Sequence, residues 1–154
     1  MDVDGDDLAG VVDLFGGLTR EELERALAEL AFRRGEDRAP EDFDAAVSEA
    51  IEGYYLVAAP HDGLERPLLV PGPVAFPSLP EDAEDLPHLL DVPERTVDRE
   101  AAAGRVATRL REEAAAVAAD GDSGRAAALL NVTYDAEAWG PVELADVRET
   151  LDGT

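Results

Sequence analysis

The sequence contains no cysteine, which excludes disulfides, thiolate chemistry and cysteine-ligated zinc. Lysine and glutamine are missing too, Asn131 is the only asparagine, and all 13 basic residues are arginine. Of the four side chains that chiefly read base edges in the DNA major groove, arginine alone is well represented. No apolar run approaches the 18 residues or so that a membrane helix needs. The opening "MDVDGDDLAG" has no positively charged start and no long apolar stretch follows, so neither a signal peptide nor a membrane span is expected. The expectation is a soluble, cytoplasmic protein. Also missing are the G-x-S-x-G elbow, G-x-G-x-x-G, a Walker loop and H-E-x-x-H. No nucleophile, dinucleotide, phosphate or zinc-protease motif therefore points to a reaction.

What is abundant is carboxylate. There are 18 Asp and 18 Glu against the 13 arginines, for a net charge of −23. A disordered acidic tail would concentrate this charge and lack apolar periodicity. Here the charge is spread along the chain between regularly spaced apolar residues. An evenly acidic, lysine-free, alanine-rich chain fits a cytoplasm at multimolar salt, where a Debye length of about 3 Å screens self-repulsion. The expected surface associates are monovalent cations and water, and the acidity identifies no partner. At 154 residues the chain suits one domain, or one domain with a helical extension.

Local signals give the order of elements. Leu8, Val11, Val12, Leu14 and Phe15 predict a short helix over 7–17, stopped by Gly16-Gly17. Thr19 and Glu22 form a capping box, with Leu18 placed to staple onto the first turn. Leu23, Ala26, Leu27, Leu30 and Ala31 give the next helix its apolar face, and Gly35 its end. Pro40 opens a third helix over 40–52 with the face Phe43, Ala46, Val47, Ala50 and Ile51, ended by Gly53. "YYLVAA" (54–59) and "PLLVPGPVAF" (67–76) then read as a hairpin. Asp62-Gly63 is its turn dipeptide, in a loop longer than two residues. Pro71 and Pro73 cannot donate to a ladder, so the returning strand should be short or lie at an edge.

Eight of the ten prolines fall between positions 60 and 93. Residues 77–97 therefore read as an acidic, extended connector with one helical turn near Leu86–Leu90, packed along the domain through its leucines. From Asp98 the chain turns helical. A long helix carries Val106, Leu110, Ala114 and Val117, with Arg109 and Glu113 paired four apart, and ends at Gly121. Ser123 is the expected cap of the following helix, and Pro141 the start of a last one through Leu144, Val147 and Leu151. The fold class expected is α+β and predominantly helical. It comprises a winged-helix-like three-helix unit with a β-hairpin (1–76), the connector (77–97) and a C-terminal helical extension (98–154) packed on the first unit or on another chain.

Three runs, "LAGVVDLFGGLTREELERALAELAFRRG", "LLVPGPVAFPSLPEDAEDLPHLLDVPERTVDREAAAGR" and "YDAEAWGPVELADVRETL", resemble a small family of haloarchaeal proteins of unknown function. The resemblance covers nearly the whole chain. It supports a halophilic origin and comes with no established activity, so it assigns no functional residue.

In a winged helix the third helix usually reads DNA. Here its outer side offers Glu41, Asp42, Ala45, Ser48, Glu49 and Glu52, with Ser48 its only neutral hydrogen-bonding side chain, so helix 40–52 is not expected to read nucleic acid. Arg33, Arg34 and Arg38 form a candidate anchor for phosphate or an acidic partner, although balancing nearby carboxylates is the plainer role of such residues. His61 and His88, without cysteine, specify no metal site. Trp139 and Tyr134 are candidate anchors for a partner protein, set against the plainer role of packing between segments. The function expected is a non-catalytic protein-interaction or regulatory module without cofactor or metal, with a protein partner or a second copy of the chain. Two alternatives stand beside it: a DNA-associated winged-helix transcriptional regulator using the arginine cluster, and a small enzyme with an unrecognised site.

Overall fold

Asp4 caps the first helix, α1 (Gly5–Phe15), accepting the Asp7 amide at 2.8 Å while the Asp7 carboxylate accepts the Asp4 amide at 3.1 Å. Both carboxylates thus sit at the positive end of the helix. The computed structural model describes residues 1–61 and 63–153, so Asp62 of the turn dipeptide lies outside the described residues. Among the described residues the chain is α+β and mainly helical, with seven α-helices and one antiparallel hairpin. It divides into two compact units, Met1–Val97 and Asp98–Thr154.

In the first unit the Thr19–Glu22 capping box opens α2 (Arg20–Arg33), with the Glu22 carboxylate accepting the Thr19 amide at 2.9 Å. All five residues of its apolar face are buried. At its far end the Gly35 amide donates to the Phe32 carbonyl at 3.0 Å and the Glu36 amide to Ala31 at 2.9 Å, the paired closure that a left-handed residue at Gly35 permits. A 3₁₀ turn (Pro40–Phe43) leads into α3 (Asp44–Glu52), where Phe43, Val47 and Ala50 are buried and Ala46 and Ile51 half-buried. The closure of α3 differs from expectation. Gly53 keeps a helix-like φ of −84°, and Tyr54 takes the left-handed conformation instead, at φ 65°. Its amide bonds Ile51 at 3.2 Å while the Tyr55 amide bonds Ala50 at 2.9 Å. Holding a non-glycine residue there costs on the order of 1 kcal/mol or more. Complete burial of the Tyr54 ring offsets that cost.

Strands β1 (Leu56–Ala59) and β2 (Leu68–Pro71) pair antiparallel in the register Val57↔Val70, and the returning strand ends at Pro71 as its missing donor requires. Leu18, between α1 and α2, exchanges two backbone hydrogen bonds with Leu69, at 3.1 and 2.7 Å. It therefore adds a third antiparallel partner to the hairpin, which the sequence did not announce.

Residues 77–97 pack within the first unit. The Phe76 amide donates to the Asp6 carboxylate at 2.9 Å and the Ser78 amide to the Asp6 carbonyl at 3.0 Å. A 3₁₀ turn (Ala83–Asp85) and the single-turn α4 (Leu86–Leu89) bury Ala83 and Leu86 in the core. The segment then crosses the junction of α1 and α2, where the Arg95 amide donates to the Phe15 carbonyl at 2.9 Å. Gly16 is indispensable at this crossing. Its φ is 81°, and a Cβ there would lie 1.7 Å from the Arg95 carbonyl oxygen.

Among its described residues the second unit holds three helices. Asp98 caps α5 (Arg99–Asp120), whose stripe Val106, Leu110, Ala114 and Val117 is buried, and Gly121 ends it at φ 68°. Asp122, not Ser123, caps α6 (Ser123–Trp139), its carboxylate accepting the Arg125 amide at 3.0 Å. The last helix, α7 (Ala145–Leu151), does not start at Pro141. The chain leaves α6 extended at Gly140, and the Glu137 carboxylate accepts the Leu144 amide at 2.8 Å, so the turn into α7 is fixed there.

Candidate functional site

The outer side of α3 is where a winged helix would put its readout. Arg20 of α2 reaches across and donates to the Asp44 carbonyl at 2.9 Å, the Asp44 carboxylate at 2.7 Å and the Ser48 hydroxyl at 2.6 Å. The one neutral hydrogen-bonding side chain on that side is thus already engaged. The field around it is negative. The Glu24 carboxyl is pushed above its usual range, first by partial burial and then by Asp44, Glu41 and Glu21, with Arg20 opposing. A phosphate backbone would meet the same carboxylates.

The three arginines singled out as an anchor each have an acceptor inside the first unit. Arg33 faces Asp85 at 3.4 Å, and Arg34 donates to the Glu81 carbonyl, so both hold the connector to the end of α2. Arg38 lies over the Phe43 ring at 4.9 Å from its centre and 3.8 Å from Asp42. They join segments of the unit as much as they present charge. His61 follows β1 and His88 sits in α4, and the described residues hold no group of three His, Asp or Glu placed to bind a metal ion.

Sequence reasoning missed a well-enclosed ion pair, between Arg95 and Glu22. Arg95 retains 9% of its side-chain exposure and Glu22 17%. Its guanidinium meets both carboxylate oxygens, Nη2 at 3.0 Å from Oε2, and Nη1 also donates to the Gly17 carbonyl at 3.3 Å. Burial on its own would raise the Glu22 carboxyl. The Arg95 hydrogen bond and the Thr19 cap outweigh it and hold Glu22 below its ordinary range, while Glu22 holds Arg95 up. The signal was present in Glu22, which the capping box places, but Arg95 lies 73 residues away and no local rule connects them.

On the second unit, α6 and α7 flank an open groove of about 530 Å³. Ser123, Ala127, Leu130 and Tyr134 line its α6 side, and Arg148, Glu149 and Leu151 its α7 side. Arg148 is fixed by a two-pronged pair with Glu137 at 3.0 and 3.1 Å and by Thr133 at 3.2 Å. Its guanidinium lies over the Tyr134 ring at 4.5 Å from the centre. The Glu137 carboxyl is correspondingly lowered, by Arg148 first and the Leu144 amide second. Tyr134, a predicted anchor, is thus exposed (57%) yet held in place. Trp139, the other, is half-buried under Arg99, which stacks on its ring at 4.5 Å and donates to its carbonyl at 2.8 Å. It packs α6 against α5. The two candidates therefore differ, Tyr134 being exposed and Trp139 packed between helices.

Four further large apolar side chains face water on the first unit: Phe76 (83% exposed), Phe32 (73%), Leu79 and Leu89. Sequence periodicity leaves Phe32 off the apolar face of α2, which was a usable signal. No helix among the described residues is long and apolar enough to cross a membrane. Comparison with curated proteins and with solved structures finds no match. A family model does match, over residues 6–154, and the chain belongs to that family of unknown function, DUF7109.

Proposed function

We propose that this protein is a non-catalytic interaction or regulatory module of a high-salt cytoplasm. The observation that carries this reading is that a chain of charge −23 keeps large apolar side chains, Phe32 and Phe76 above all, in water. Singly exposed apolar side chains are ordinary, so the reading rests on how far these two rings stand in water, Phe32 at 73% and Phe76 at 83% exposure. The polar side chains support the same reading. Glu22, Arg95 and Arg148 are committed to caps and ion pairs within their own units, and the Ser48 hydroxyl is engaged by Arg20.

The winged-helix comparison is supported by the order α1, bridging Leu18, α2, α3 and hairpin, with Leu18 paired to β2. A fold does not fix a function, however, and the side of α3 that would face DNA is acidic with its hydroxyl engaged. The DNA-associated alternative would rely on Arg33, Arg34 and Arg38, whose acceptors within the unit it would have to displace.

The test is capture of tagged protein from host extract in multimolar KCl, with Phe32→Ser and Phe76→Ser as controls. A stoichiometric protein held by the wild type and lost from either variant supports the reading. Recovery of DNA alone, or equal recovery by all three, contradicts it.

A further inference from the structure

We infer that residues 80–86 are a built-in ligand: they cover a site on α2 for a short acidic peptide of a partner protein and free it when they lift. This rests on the interaction role proposed above and adds the place, the ligand chemistry and the control. In "PEDAEDL" every third residue turns inward. Pro80, Ala83 and Leu86 are buried, the last two with no exposed surface. The four residues between them, Glu81, Asp82, Glu84 and Asp85, are all acidic and all exposed. Three residues is the repeat of a 3₁₀ turn, which the chain adopts at Ala83–Asp85. The segment thus gives an apolar edge to the core beside α2 and an acidic edge to water.

This acidic edge meets the two arginines at the end of α2. Arg33 faces the Asp85 carboxylate at 3.4 Å and Arg34 donates to the Glu81 carbonyl at 2.5 Å. Among the described residues neither guanidinium has another hydrogen-bond acceptor. Lifting 80–86 therefore frees both charges at once and opens the socket that Ala83 and Leu86 fill. The occupant of the site is thus visible in the fold itself: a carboxylate and a backbone carbonyl for the arginines, two apolar side chains for the socket. A partner segment with the same repeat of one apolar and two acidic residues fits in its place, as an amphipathic turn docks in a groove. The net charge of −23 does not bar such a ligand, because the segment already seated there is acidic and multimolar salt screens charge beyond about 3 Å.

The cover is built to be displaced. Between 77 and 97 only Pro80, Ala83 and Leu86 are buried, so little apolar surface opposes the entropy of releasing the chain. Asp82 is held at φ 70°, a left-handed conformation without glycine, and relaxes once the segment is free. Both ends stay tied, the Ser78 amide to the Asp6 carbonyl and Arg95 to Glu22. The middle can therefore lift as a loop and return at high effective concentration.

Fluorescence anisotropy of a labelled peptide, SLPEDAEDLPHLLDV (residues 78–92), tests this against the full chain in multimolar KCl, with circular dichroism as the check on folding. Leu86→Asp expels the cover and leaves the α2 side of the site unchanged. It is expected to bind the peptide saturably and at least about tenfold more tightly than the wild type, whose own segment competes. Arg33→Ala and Arg34→Ala added to that chain should weaken binding by about fivefold, and a scrambled peptide should not bind. Hydrogen exchange of the wild type decides the matter if Leu86→Asp fails to fold. The Ala83 and Leu90 amides, bonded to the Pro80 and Leu86 carbonyls, should exchange about a hundredfold or more faster than those of Leu27 and Leu30. A folded Leu86→Asp that ignores the peptide, a wild type that binds it equally well, arginine substitutions without effect, or amides of 80–90 as protected as those of α2 would each overturn the inference. Duplex DNA bound by Leu86→Asp in place of the peptide would assign the arginines to nucleic acid and overturn it too. Capture that depends on Phe32 and Phe76 is a separate measurement, so the interaction role stands or fails independently.

Discussion

Replacing Arg95 with alanine should remove the latch that ties the 77–97 segment to the cap of α2. The side chain is about nine-tenths buried and meets both oxygens of Glu22 and the Gly17 carbonyl. Charge-assisted hydrogen bonds contribute roughly 1.5–3 kcal/mol net, and breaking a fully buried pair costs about 3–5 kcal/mol. Here Glu22 keeps its Thr19 amide partner and some water, which places the loss at about 2–3 kcal/mol near neutral pH. Glu22 is lowered in the folded state, so its contribution is present above its ordinary value of 4.5 and is lost as pH falls through the lower folded value. The difference between wild type and Arg95→Ala should therefore be largest near neutrality and shrink in acid. Denaturant unfolding followed by circular dichroism across that range measures it, and a double-mutant cycle with Glu22→Gln isolates the pair. A variant within about 0.5 kcal/mol of wild type at neutral pH, or a gap that does not narrow in acid, would refute the latch.

Gly16→Ala should cost more than about 2 kcal/mol, because it combines strained backbone with a collision at the Arg95 carbonyl, and proteolysis within 77–97 should accelerate with it. Asp122→Ala should cost about 1 kcal/mol and Ser123→Ala close to nothing, and thermal melts of the two variants separate the cap from its neighbour. Leu30→Ala, emptying a fully buried site, should cost about 2–5 kcal/mol in the same assay. Thermal midpoints should rise from dilute buffer to multimolar KCl as the −23 charge is screened, and a midpoint unchanged by salt would oppose the high-salt origin.

Much of the helical framework could be read from local chemistry. The Thr19–Glu22 box, the α2 face, the left-handed stops at Gly16, Gly35 and Gly121 and the stripe of α5 all depend on residues within one or two turns of each other. What escaped depends on contacts distant in sequence or on a choice between equivalent neighbours. Asp122 and Ser123 are both good caps, and only the geometry at the end of α5 selects the first. Tyr54 takes the left-handed position beside an available glycine because its ring is drawn into the core. The Leu18–Leu69 bridge joins residues 51 apart, and the Arg95–Glu22 pair residues 73 apart. Tyr134 could be singled out in the sequence as a large amphipathic side chain, and it is exposed. Its stacking partner Arg148 could not, since 14 residues and a helix turn separate them.

The central claim is that a protein partner covers the exposed phenylalanines, with no reaction performed and no DNA read by α3. Capture from host extract in multimolar KCl, comparing wild type with Phe32→Ser and Phe76→Ser, addresses it most directly. The account predicts one protein recovered in stoichiometric amount with the wild type and depleted from at least one folded variant. Identical recoveries from all three proteins, or genomic DNA recovered without any protein, would contradict it.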